Sequence, residues 1–192
     1  EFRRVLFRSN VANPPDDKIK VLEDTDGDGV ADKVTVFTSD LNAAMGICVA
    51  GSKIYVPESP NLYLYEDKNN DLVPDGPRKV LLTGFGGKNH DHGVHSQVFG
   101  PDHKLYMTNG DTGYDVTGPD GRQIKFKWGG MIRCEADGTQ LEDFAVNFRN
   151  PVELAVDSFG NVWCSDNDND GLKSVRICWR SEEHTSELQS PY

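Results

Sequence analysis

Helical periodicity is nearly absent from this 192-residue sequence. Apolar residues do not recur at the three- and four-residue steps of an amphipathic helix, which argues against an all-α fold. No run of about eighteen apolar residues exists either, so nothing here crosses a bilayer as a helix. Positive charge is in deficit, with 20 Lys and Arg against 31 Asp and Glu and a net charge of −11. An acidic chain of this kind is a poor partner for nucleic acid or an anionic membrane. Cysteine is sparse. Cys48, Cys134, Cys164 and Cys178 lack the CxxC spacing of a zinc or redox site. Cys48 and Cys164 lie in apolar, strand-like runs and read as small buried residues. An exported protein would allow a Cys164–Cys178 disulfide.

The ends stand apart from the rest. Residues 1–9 read EFRRVLFRS and the tail from Arg180 reads RSEEHTSELQSPY. The codons AGA TCG GAA GAG CAC ACG TCT GAA CTC CAG encode RSEEHTSELQ. Their reverse complement translates to L-EFRRVLFRS. Both ends therefore resemble one translated sequencing adapter read on opposite strands, and residues 1–9 and 180–192 are set aside. Residues 10–179 are then expected to be an internal fragment of a longer protein, and a signal peptide would lie upstream.

What is present repeats. EDTDGDGVAD from Glu23 and EDKNNDLVPD from Glu66 align without gaps at a period of 43 residues. A strand-like element recurs as KIYV at Lys53, KLYM at Lys104 and NVWC at Asn161. Two of the three follow hairpin-type turns, GPDH and DSFG. Short β-rich runs such as KVTVF, NLYLY, KVLL, GGMIRC and ELAV alternate with Gly, Asp, Asn and Pro clusters, which is an all-β pattern. A period near 40–50 with about four strands per unit marks a propeller blade. The expectation is a partial β-propeller of about three to four blades, with a sandwich or an irregular β-solenoid as the competitor.

DTDGDG, from Asp24 to Gly29, matches the first half of an EF-hand loop. Carboxylates of Asp24, Asp26 and Asp28 alternate and converge, and Asp32 offers a late ligand. Thr35 stands where the bidentate Glu belongs, so a calcium loop competes with a solvated turn. The second copy, with Asn69 and Leu72 in place of Asp26 and Gly29, is the weaker candidate. SDNDNDG, from Ser165 to Gly171, crowds three Asp and two Asn behind a strand, where a cation would offset their repulsion.

KNHDHGVHS, from Lys88 to Ser96, places His90, His92 and His95 within six residues. Such clustering suits a metal site or a general base. A zinc hydrolase would want HxHxDH, and Val94 stands where that Asp belongs. Histidines packed in a polar channel are a third reading. A base requires a carboxylate to orient its imidazole.

NHDHGVHSQVFGPDHKLYMTNGDTG resembles the segment H-x-G-G-R-x-x-F-G-P-D-G-x-L-Y-x-x-x-G-D-x-G of the soluble glucose/sorbosone dehydrogenases. Those are six-bladed propellers that bind pyrroloquinoline quinone (PQQ) with calcium. There the catalytic histidine precedes the Asp of the GD pair by nineteen positions, which lands here on His92 and Asp111. FRNPVELAVDSFGNVWCSDND resembles the same family's R-N-P-x-G-L-A-F segment and its continuation. The resemblance implies that Arg149, Asn150, Asn167 and His90 border the cofactor, and that Asp168 and Asn169 replace the Gly-Pro whose carbonyls hold calcium. Val94 and Ser96 or His95 replace the family's second Gly and its Arg.

The phrases NAAMGICV, LLTGFG and NPVELAVDSFGNVW are similar to large bacterial proteins labelled membrane-bound dehydrogenases, which carry a c-type haem domain. The resemblance implies a sugar or alcohol substrate, hydride transfer to PQQ with His92 as base, and a haem domain or other electron acceptor outside the fragment. It also implies export to the periplasm or cell envelope. Two other classes remain, a non-catalytic scaffold propeller and a lactonase-like metal-dependent hydrolase using His90, His92 and Asp111.

Overall fold

A computed structural model describes residues 3–6, 17–87, 92–167 and 175–180. Among the described residues there are strands and no helix. The first sheet holds β1 (Arg3–Leu6), β2 (Asp17–Glu23) and β3 (Lys33–Leu41). The second holds β4 (Cys48–Ala50), β5 (Lys53–Glu58), β6 (Asn61–Glu66) and β7 (Lys79–Phe85). The third begins with β8 (Val94–Phe99) and β9 (Leu105–Asn109). A hairpin of β10 (Tyr114–Thr117) and β11 (Gln123–Phe126) then leaves it to extend the second sheet beyond β7. The third sheet resumes with β12 (Gly129–Cys134) and β13 (Glu142–Phe148). A last sheet holds β14 (Leu154–Val156), β15 (Val162–Asp166) and β16 (Arg176–Arg180). Every pairing is antiparallel.

Strand alternation explains how the sheets stack. Successive side chains of a strand point to opposite faces. On β5, Tyr55 enters one core with Leu62, Leu82, Leu105 and Ile132, whereas Ile54 and Val56 enter another with Ile19, Phe37 and Leu41. On β9, Leu105 and Met107 join the first of these cores and Tyr106 joins a third with Met131, Phe144 and Val162. Each interior sheet thus buries both faces against its neighbours in the chain. Each fully buried Leu, Ile or Met side chain contributes about 1.5–3 kcal/mol. The outer sheets bury one face. Val34 and Val36 on β3, and Trp163, Ile177 and Trp179 on the last sheet, remain exposed.

The edge strands β4, β8 and β14 open their sheets and lie side by side, with β8 touching β4 and β5 on one flank and β14 on the other. This is the inner wall of a propeller array, and the all-β, partial-propeller expectation holds. KIYV begins β5, KLYM and NVWC lead into β9 and β15 from one residue before each, and the turns GPDH and DSFG precede the last two. One difference is β1, which falls in the adapter-like segment yet pairs with β2 from Arg3↔Glu23 to Leu6↔Lys20. An open strand edge accepts any backbone with free N–H and C=O groups.

Candidate functional site

The β8–β9 register assembles the site. Val94 pairs with Asn109, and the ladder continues outward with Gly110 donating its N–H to Gly93 O at 2.9 Å. One step further along the same antiparallel register stand His92 and Asp111. Their nineteen-residue separation is therefore the spacing that puts them opposite each other. Nδ1 of His92 lies 2.6 Å from Oδ1 of Asp111. Thr112 Oγ1 donates to His92 O at 2.6 Å and fixes the backbone that carries the imidazole. Gly110 allows this closeness, since a Cβ there would meet His92 O at 2.5 Å and Asn150 Oδ1 at 2.6 Å.

The second carboxylate oxygen of Asp111 faces Arg149, with Nε at 3.9 Å. All three side chains are partly open to solvent, at 16% for His92, 29% for Asp111 and 24% for Arg149. A carboxylate at Nδ1 holds the proton there in the neutral ring, so Nε2 becomes the proton-accepting atom. The same carboxylate stabilises the imidazolium once Nε2 is protonated. Arg149 adds a planar cationic fork beside the pair.

Arg149 and Asn150 follow β13, and Asp166 at the end of β15 seats both. Asp166 Oδ1 accepts backbone N–H bonds from Asn150 at 2.8 Å, Arg149 at 3.1 Å and Asn167 at 3.0 Å. Its Oδ2 accepts from Arg176 at 2.7 Å. A carboxylate with a fully buried side chain requires such satisfaction. The motifs give Asp166 no role of its own, although the NVWCSD alternation turns it inward with Val162 and Cys164. Asn150 faces inward as well. Its Oδ1 lies 3.0 Å from Nε2 of His95, and both residues are buried. They form a strut between β8 and the entry to β14. Asn167 contributes its backbone N–H to Asp166. His90, Asp168 and Asn169 lie outside the described residues.

The acidic loops are remote from this site in sequence and sit at the ends of β2 and β6. Asp24, Asp26 and Asp28 bring candidate ligand oxygens within 4.8 Å of one another. Asp24 also caps the loop, accepting from Gly27 N at 2.7 Å and Gly29 N at 2.9 Å. Asp32 instead accepts from Thr25 N and Oγ1 at 2.9 and 2.8 Å. The second copy repeats the design, with Asp67 accepting from Asp71 N and Leu72 N, and Asp75 accepting from Lys68 N. Positive φ at Gly27 (82°) and Gly29 (88°) recurs at Asn70 (57°) and Leu72 (67°). The repeat in sequence is thus a repeat in hydrogen bonding.

Comparison with known proteins adds a family and a fold. The model of a family described as "Domain of unknown function (DUF7133)" matches residues 7–190. No curated protein matches the chain. Among solved structures, the calcium-binding protein regucalcin from Agrobacterium tumefaciens str. C58 is similar at 15% identity with a TM-score of 0.50. The likeness covers 83% of this chain and 48% of that one, so this chain spans about half of regucalcin's length. A luciferin-regenerating enzyme is similar at 10% identity and a TM-score of 0.45, covering 88% of this chain and 57% of that one. A putative gluconolactonase follows at 14% and 0.42, covering 83% and 66%. The regucalcin likeness shows the propeller fold. The finer likeness to glucose/sorbosone dehydrogenases rests on motifs alone.

Proposed function

We propose that this chain, which belongs to the family described as "Domain of unknown function (DUF7133)", carries a general base, His92, that takes a proton from an O–H group of a small hydroxylated substrate. The observation that carries the proposal is the 2.6 Å contact between His92 Nδ1 and Asp111. An oriented imidazole is the commonest protein base at neutral pH, and it accelerates proton transfer on the order of a hundred- to ten-thousand-fold. Arg149 stabilises negative charge that develops on the partner oxygen.

Two reactions use such a base. In lactone hydrolysis, His92 draws the proton from the attacking water. The propeller fold shared with the calcium-binding protein regucalcin is compatible with a metal ion assisting that water. Direct metal ligation by Asp111 fits less well, because its second oxygen already faces the Arg149 cation. In the second reaction, His92 takes the hydroxyl proton of a sugar or alcohol. PQQ, when bound, supplies the hydride acceptor. Arg149 suits the carboxylates of PQQ, whereas Asn150 is committed to His95. Calcium, a haem partner and an exported location belong to that reading by motif resemblance.

One paired assay tests the proposal. Proton release from aldonolactones and dye reduction by aldoses or alcohols with PQQ and calcium are measured on the wild type and His92→Ala. Loss of either activity in His92→Ala by about a hundredfold or more supports the base. An activity that survives the substitution, or the absence of both activities, overturns it.

A further inference from the structure

Two of the four cysteines face each other. β15 and β16 pair with Cys164 directly opposite Cys178. Residues opposite each other in an antiparallel pair have Cα atoms about 4.5–5.5 Å apart, within the roughly 4.4–6.8 Å that a disulfide spans. The other two have no such neighbour, since Cys48 faces Tyr55 and Cys134 faces Leu105. Cys164 is buried at 4% exposure and Cys178 is half-buried at the open flank of the last sheet.

We propose that Cys164 and Cys178 are a thiol–disulfide exchange site for small disulfides of the glutathione type, with Cys178 attacking and Cys164 resolving. Cys178 is the sulfur a solvent-borne disulfide reaches. Its thiolate attacks one sulfur of oxidised glutathione, breaks the S–S bond and releases one glutathione thiolate, which takes up the proton that Cys178 has lost. Cys164 then gives its proton to solvent and attacks Sγ of Cys178. This closes the cross-strand bond and expels the second glutathione, which is protonated in turn. Two protein thiols are oxidised as one small disulfide is reduced to two thiols.

The local electrostatics agree with these roles. A hydrogen bond from Cys164 lowers the Cys178 thiol against its partial burial, and a larger thiolate fraction favours attack. The same hydrogen bond and burial push Cys164 up, as suits a thiol that reacts second. Burial pushes Cys134 up to about 12 and raises Cys48. The bond would also clamp the hairpin that carries Asp166 and Arg176, each two residues from a cysteine, and so brace the seat of Arg149 and Asn150.

The test is peptide mapping without reduction after incubation with oxidised glutathione. The expected product is a Cys164–Cys178 link, with Cys48 and Cys134 unmodified. Cys164→Ser should stop at a glutathione adduct on Cys178, and Cys178→Ser should leave Cys164 unmodified. Should either variant fail to fold, timed iodoacetamide labelling of the wild type gives the same reading. There Cys178 should react at least about tenfold faster than Cys134. Absence of the link, adducts spread evenly over the cysteines, or equal labelling of Cys178 and Cys134 overturns the proposal.

Discussion

The buried carboxylate of Asp166 lies 2.8 Å from the backbone nitrogen of Asn150, so one side chain on β15 fixes the backbone that presents Arg149 beside Asp111. Asp166→Ala removes the carboxylate that three backbone N–H groups and Arg176 share. The expected cost is about 2–4 kcal/mol in urea unfolding, with a further loss of catalysis from a misplaced Arg149. A variant as stable as the wild type would show that the loop holds itself.

Gly110 makes a steric prediction. A methyl group at this position would sit 2.5 Å from His92 O and 2.6 Å from Asn150 Oδ1, both shorter than any van der Waals contact. Gly110→Ala should push His92 out of register with Asp111 and remove catalysis even where circular dichroism shows retained strands. A Gly110→Ala variant that keeps the proposed proton transfer would mean that the pair is not held as described.

The paired loops predict a backbone effect. Gly29 has φ of 88° with open space around it, so Gly29→Ala should cost about 1 kcal/mol of conformational strain in thermal unfolding. Leu72 occupies the same conformation in the second copy because its side chain packs against the core that contains Val56 and Tyr65. Asp67→Ala removes the acceptor for two backbone N–H groups in that copy and should cost about 1–2 kcal/mol.

Acid should unfold the turns. Backbone N–H bonds from Gly29 and Gly27 hold Asp24 below its ordinary value of 3.8. Thr25 lowers Asp32 in the same way, and Gln140 and Arg122 lower Asp120. The folded values lie below the unfolded one, so the unfolded chain takes up protons first. The stability from these groups is present above about pH 4 and is lost as pH falls through the lowered values. The urea midpoint should drop as pH falls below about 4. A flat midpoint over that range would contradict these turns' role.

The strands are legible as apolar runs between Gly and Asp clusters, and the 43-residue repeat marks the unit that stacks. The His92–Asp111 separation is legible because antiparallel pairing converts spacing into opposition. Three features are hidden from the amino-acid order because they depend on which neighbour wins. The β10–β11 hairpin has clear turn residues at Gly118–Gly121, but its choice of β7 is tertiary. Asn150 belongs to a motif that suggests cofactor contact, yet across the fold it meets His95. Asp166 reads as one more member of an acidic cluster, and only burial singles it out.

One proton on His92 decides whether the imidazole is poised as a base, and imidazole nitrogen NMR reads it directly. Neutral His92 should carry its proton on Nδ1, with Nε2 unprotonated, and Asp111→Asn should abolish that preference. A His92 protonated on Nε2 in the wild type, or unchanged by Asp111→Asn, would contradict the assignment of Asp111 as the group that makes His92 a base.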